Sequence, residues 1–156
     1  MNPDTVSKTM LTEPVDVEAT DPVALHGRYL AALGSIVDDV GAMEVAEKTG
    51  IDVGRLEMLP DEDPALTLRD ACAIIGTSGS VSNADTLARD ARDHLVVRMS
   101  SAILDVDSLA SGLEADVEPR DYRRMIEGHT EILLRQYARI YHRVESEIQS
   151  NRTPIE

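Results

Sequence analysis

The sequence predicts an all-α protein: two tandem helix-turn-helix-like bundles behind a disordered acidic N-terminal tail. Three observations carry the prediction. Apolar residues recur at three- and four-residue steps over long stretches. Cap residues, glycines and prolines punctuate those stretches as helix starts and stops. The apolar residues are aliphatic: Phe and Trp are absent and only four Tyr are present among 42% hydrophobic residues, which suits small helical bundles.

Residues 1–20 hold Pro3, Pro14 and several acidic and Thr residues, without a basic-then-apolar leader pattern, and read as a disordered tail. Order is expected from Asp21-Pro22, an N-cap followed by proline at the first helical position. Leu25, Tyr29, Leu33, Ile36 and Val40 then form one helix face, and Gly41 ends it. Two short helices follow, Met43 to Thr49 and Val53 to Leu59, then an acidic turn from Pro60 to Pro64. Thr67 caps a helix to Ile75. The Gly/Ser-rich stretch Gly76 to Asn83 is the linker, which sets the first bundle at 21–76 and the second at 84–150 around residues 77–83. In the second bundle Leu87, Ala91, Leu95, Met99 and Ile103 form a stripe. Short helices are expected near Ser108 to Leu113 and Pro119 to Ile126, Gly128 interrupts, and a last helix runs from Thr130 to about Gln149. Its face is Leu133, Tyr137, Ile140, Val144 and Ile148, and residues 151–156 are a tail. Both halves share one plan, long helix, two short helices, closing helix. Leu68-Arg69 with Ile74 reappears 66 residues later as Leu134-Arg135 with Ile140.

Charge is the strongest compositional signal. There are 29 acidic residues against 15 basic ones, a net charge of −14, and Lys8 and Lys48 are the only lysines. Such charge destabilises a compact state by self-repulsion. Concentrated salt removes that cost, since the screening length falls to about 3 Å near 1 M. High Asp and Glu, scarce Lys and few bulky apolar residues resemble proteins of salt-loving archaea; the alternatives are an ordinary acidic protein or an acidic nucleic-acid mimic. Cys72 is the single cysteine, so no intrachain disulfide forms. No apolar run is long enough to span a membrane, and a cytoplasmic location is expected.

The most specific motif is Ala46-x3-Gly50-x5-Leu56, flanked by Val45, Ile51 and Leu59. Ala46 allows two helices to cross closely. Gly50 closes the first helix in a left-handed conformation. Leu56 packs back from the second helix. The expected product is a helix-turn-helix; the alternative is an ordinary glycine-capped helical hairpin. Residues 22–76 resemble the helix-turn-helix fold of phage-repressor-type regulators, and the whole chain resembles a haloarchaeal family with a domain of unknown function. The resemblance implies that the helix after Gly50 would enter a DNA major groove. That helix carries Asp52, Glu57 and Asp61 with Arg55 as its one cation, which opposes phosphate contact.

The second half differs. Residues 1–116 hold 22 acids and 8 bases, whereas residues 117–156 hold 7 of each. Arg120, Arg123 and Arg124 stand at i, i+3 and i+4 on one face, with Tyr122, Met125 and Ile126 on the other. In the repeated plan this is the reading-helix position, and arginine suits phosphate and guanine. The competing reading pairs these arginines with Asp121 and Glu127. The copy is imperfect: Ala110 is followed by Glu114 where glycine is expected.

No catalytic or metal-binding pattern appears. His26, His94, His129 and His142 lack ligand spacing, and Gly76 to Gly79 lacks the ending of a phosphate loop. Cys72, between Ala71 and Ala73, reads as a small core residue. The expectation is a non-enzymatic helix-turn-helix regulator without cofactor or metal, binding DNA through Arg120, Arg123 and Arg124. The alternative is a protein–protein adaptor that uses the same folds as scaffolds. Partners considered are DNA, a protein, and a second copy docked through the C-terminal helix.

Overall fold

A computed structural model places the chain in an all-helical fold. It describes residues 11, 16–59, 61–62, 65–77, 84–113 and 117–152. The helices are α1 (Pro22–Val40), α2 (Ala42–Thr49), α3 (Val53–Leu56), α4 (Leu68–Gly76), α5 (Ala84–Ala102), α6 (Val106–Ser111), α7 (Pro119–Glu127) and α8 (Leu134–Arg152). Among the described residues the extended pairing is one antiparallel bridge, Thr67 to Leu133.

Local chemistry sets most boundaries. Asp21 caps α1 by accepting from the Ala24 N–H at 2.7 Å, with proline in the first turn. At α4 the Asp70 N–H donates to Thr67 Oγ1 at 3.0 Å, and the Thr67 N–H donates to Asp70 Oδ2 at 3.1 Å. This reciprocal cap satisfies two amides that helix geometry leaves open. Asp105 caps α6 by accepting from the Ser108 N–H at 2.8 Å. Gly50 and Gly128 end α2 and α7 with φ of 79° and 86°.

Several boundaries depart from expectation, among them α6, which its Asp105 cap starts at Val106 rather than Ser108 and which ends at Ser111 rather than Leu113. Helix α3 has only four residues, and 57–59 continue as turns rather than helix. Ile103 is not on the apolar stripe of α5: it lies past the helix end, at φ 53°, and is 90% exposed. Unbroken four-residue steps drift by about 40° each around a 3.6-residue helix. The buried face is therefore Ala88, Ala91, Leu95, Met99 and Ala102, which mixes threes and fours, and Leu87 is only partly buried. The last helix begins at Leu134 rather than Thr130, because Leu133 is held in the bridge.

The second half repeats the plan of the first. The bridge is made by two bonds: Leu68 N–H to the Ile132 carbonyl at 2.8 Å and Leu134 N–H to the Leu66 carbonyl at 2.9 Å. Shifting by 66 residues turns Leu68 into Leu134 and Leu66 into Ile132, so the two bonds are exchanged. The caps follow the same shift: as Thr67 N–H meets Asp70, Leu133 N–H meets Gln136 Oε1 at 2.9 Å. Burial follows it too. Leu68, Ala71, Cys72, Ile74 and Ile75 in α4 match Leu134, Tyr137, Ala138, Ile140 and Tyr141 in α8, all buried. The sequence echo thus marks a twofold-like contact between the two closing helices.

That contact interlocks the halves. Helix α4 packs on α5 of the other half, and α1 packs on α8. The buried residues of both halves form one core, so the tandem-bundle division does not describe the packing. The apolar stripe of α8 is spent inside it: Tyr137, Ile140, Val144 and Ile148 are all buried. A homodimer seated on that stripe is therefore not what the fold supports, because the chain already covers it. Of the tail expected over residues 1–20, 1–10 and 12–15 lie outside the described residues. Leu11 is buried, and its carbonyl accepts from the Tyr137 hydroxyl at 2.7 Å. Most of the linker, residues 78–83, also lies outside the described residues, as do residues 153–156 of the C-terminal tail.

Candidate functional site

The arginine face on α7 is built by the helix's amphipathicity. Tyr122, Met125 and Ile126 are buried, which turns Arg120, Arg123 and Arg124 outward together. Pro119 presets the first turn and Gly128 stops the last one. Neither Asp121 nor Glu127 pairs with these arginines among the described residues. Arg120 instead lies 3.4 Å from Glu118, with both side chains largely exposed. Such a pair contributes at most about 1 kcal/mol and leaves the guanidinium available. Glu127 lies 3.7 Å from His129. Arg123 faces the start of α6. There Asp105 is held below the usual carboxylate range, first by hydrogen bonding from Ser108 and, to a lesser degree, by the Arg123 charge.

The first-half motif has a different character. The Gly50 N–H donates to the Ala46 carbonyl at 2.9 Å, and Val45 and Leu56 are fully buried beneath the turn. Ala46 is partly buried against the same core. Thr49 Oγ1 donates to the Val45 carbonyl at 2.7 Å and accepts from the Ile51 N–H at 3.1 Å, which tightens the corner. The single cation of α3 is engaged within the chain: Arg55 Nη2 donates to the Ala65 carbonyl at 3.3 Å and lies 3.7 Å from Asp70. With one helical turn and an engaged arginine, α3 offers no basic surface.

Two clusters were not legible in the sequence. Arg98 on α5 and Glu145 on α8 form a two-pronged pair, and His94 lies 3.2 Å from the Tyr141 hydroxyl. Arg69, Arg89 and Arg92 also come together, from α4 and α5, around a cavity beside the bridge. The only hint of the second is the i, i+3 spacing of Arg89 and Arg92. The approach of Arg69 depends on the interlock.

Among the described residues no group of three or more His, Cys, Asp or Glu is arranged to hold a metal ion. No described helix is long and apolar enough to cross a membrane. The model of a family of unknown function, DUF5791, matches residues 25–147, from the first buried leucine of α1 to the last turns of α8. The chain belongs to the DUF5791 family. The DUF5791 match spans both halves and the bridge between them. No curated protein and no solved structure matches the chain.

Proposed function

We propose that the protein is a non-catalytic regulator of helix-turn-helix type that contacts DNA through the exposed face of α7, working in a salt-rich cytoplasm. The observation that carries this reading is the joint exposure of Arg120, Arg123 and Arg124 on a nine-residue helix. Helix α7 holds the place in the second half that α3 holds in the first. Unlike α3 it is long enough to present several side chains to one surface. Guanidinium groups meet both phosphates and guanine edges. The high-salt part of the reading rests on the net charge of −14.

The test is recovery and sequencing of DNA bound to the native full-length protein at high salt. It compares the parent with the triple change Arg120→Glu, Arg123→Glu, Arg124→Glu. The parent should enrich a defined duplex sequence and the variant should lose it while keeping its helical signal. Each lost phosphate contact should flatten the salt dependence by about one unit. A folded parent that enriches no sequence, even at high concentration, overturns the reading.

A protein-adaptor reading is favoured by a separate observation. Val96, Val97 and Ile103 are exposed, and Val96 and Ile103 line a cavity of about 630 Å³ with Met99 and Ile126. A β-branched residue at positive φ is a costly place to expose an apolar side chain. Co-purification of a protein, with no DNA, would support this second reading.

A further inference from the structure

A second concentration of positive charge lies beside the Thr67–Leu133 bridge. A cavity of about 470 Å³ opens there. Its lining includes the buried aliphatic residues Leu68, Ala88 and Ile132. Around them stand Arg69, Arg89 and Arg92, with His129, against Asp85 and Glu131. In a chain with nearly twice as many acids as bases, this lining inverts the overall balance.

The three arginines are not equivalent. Arg69 Nε donates to Asp85 Oδ1 at 2.7 Å, so its charge is partly used. Arg89 and Arg92 form no ion pair among the described residues. They stand one turn apart on α5 and line the same space. Arg92 is half-buried, and its guanidinium lies against Gly128. A Cβ at Gly128 would meet Arg92 Nη2 at 3.0 Å and Nε at 3.1 Å, so the bare backbone there gives the guanidinium its seat.

We propose that this cavity binds the phosphate group of a small phosphorylated metabolite, with Arg89 and Arg92 as its donors and Arg69 as a third cation. A guanidinium presents paired N–H groups that match phosphate oxygens, and charge-assisted bonds of this kind are about twice as strong as neutral ones. The volume falls within the roughly 300–1,000 Å³ of small-molecule sites, which leaves room for an organic part. The aliphatic lining gives that part an apolar contact. The site shares no residue with the exposed arginines of α7, so it stands or falls separately from the DNA reading.

The experiment is calorimetric titration of the full-length protein, in chloride buffer at a salt concentration where it is folded. The probes are inorganic phosphate, AMP, adenosine and a short DNA duplex. AMP should bind saturably, one per chain and more tightly than phosphate, while adenosine should not bind. Arg89→Gln combined with Arg92→Gln should weaken AMP binding by about tenfold or more with an unchanged helical signal. Arg92→Lys, which keeps the charge and loses the fork, should fall between. The triple charge reversal on α7 should leave AMP binding intact. Absence of saturable binding by both phosphate and AMP overturns the proposal. So does equal AMP binding by the Arg89/Arg92 variant, or binding of the duplex alone.

Discussion

Arg98 on α5 holds Glu145 on α8 through two parallel bonds, Nε to Oε2 at 2.7 Å and Nη2 to Oε1 at 3.0 Å. The Glu145 side chain is only 2% exposed and that of Arg98 25% exposed, so the pair joins the two helices from inside the core edge. A buried carboxylate is tolerated because both of its oxygens are met.

Removing one partner should therefore cost more than removing both. Glu145→Ala leaves a half-buried guanidinium without its acceptor and should destabilise by about 3 kcal/mol, the low end for a broken buried pair, since Arg98 still reaches water. Arg98→Met with Glu145→Leu should recover most of that loss. Chemical denaturation of the three proteins measures it. A single variant as stable as the parent would show that the pair holds nothing together.

His94, beside this pair, has its pKa lowered from 6.5, first by burial and then by the Arg98 charge, with Glu145 acting the other way. The unfolded chain then binds more protons than the folded one in the window below 6.5, so stability is lost as pH falls through it. His94→Gln should flatten the dependence of melting temperature on pH below about 6.5. Parallel curves for parent and variant would remove His94 as the cause.

The left-handed helix ends at Gly50 and Gly128 should respond differently to alanine. At Gly50 a Cβ meets nothing within 4 Å, so Gly50→Ala should cost only the backbone penalty of about 1–2 kcal/mol. At Gly128 the Cβ would also crowd the Arg92 guanidinium at 3.0–3.2 Å, so Gly128→Ala should add to the same penalty the cost of moving Arg92 off its seat by a few tenths of an ångström. Ala46→Leu, which overfills the partly buried helix crossing, should cost about 1–3 kcal/mol. Equal melting of both glycine variants would contradict the seating of Arg92.

Cys72 is fully buried in α4, and burial pushes its thiol up to about 12, the nearby Arg92 charge only partly opposing it. Thiolate is the reactive form, so native protein should resist a thiol-specific reagent at neutral pH. Labelling should follow the rate of opening, measured by adding denaturant. Fast labelling of the native state would place Cys72 outside the core.

The net charge of −14 should make stability depend on salt. Melting temperature should rise between dilute buffer and molar KCl as screening shortens to about 3 Å. Acidification toward the isoelectric point of about 4.6 should also relieve repulsion, in opposition to the His94 effect at higher pH. A melting temperature indifferent to salt would mean that the acidic groups are too dispersed to repel.

The sequence by itself determined the helices and most of their ends. Asp21-Pro22, Thr67, Gly50, Pro119 and Gly128 act on backbone within one turn of themselves, so their signals are local and readable. The split of α7 into an apolar face and an arginine face was readable for the same reason, because helical periodicity alone separates Tyr122 from Arg123. Where the pattern ran toward a helix end it misled: Ile103 fits a four-residue ladder but falls beyond the last turn. The 66-residue echo was visible, but its meaning was not. Only the tertiary structure shows that its two copies meet, Leu68 on Ile132 and Leu134 on Leu66, and that the apolar stripe of α8 is buried within the chain. The same interlock brings Arg69 to Arg89 and Arg92, while the packing of α5 on α8 within the second half brings Arg98 to Glu145. Contacts between residues this far apart carry no periodicity. They follow from which apolar faces cover one another best, and that is decided by the packing of the whole chain.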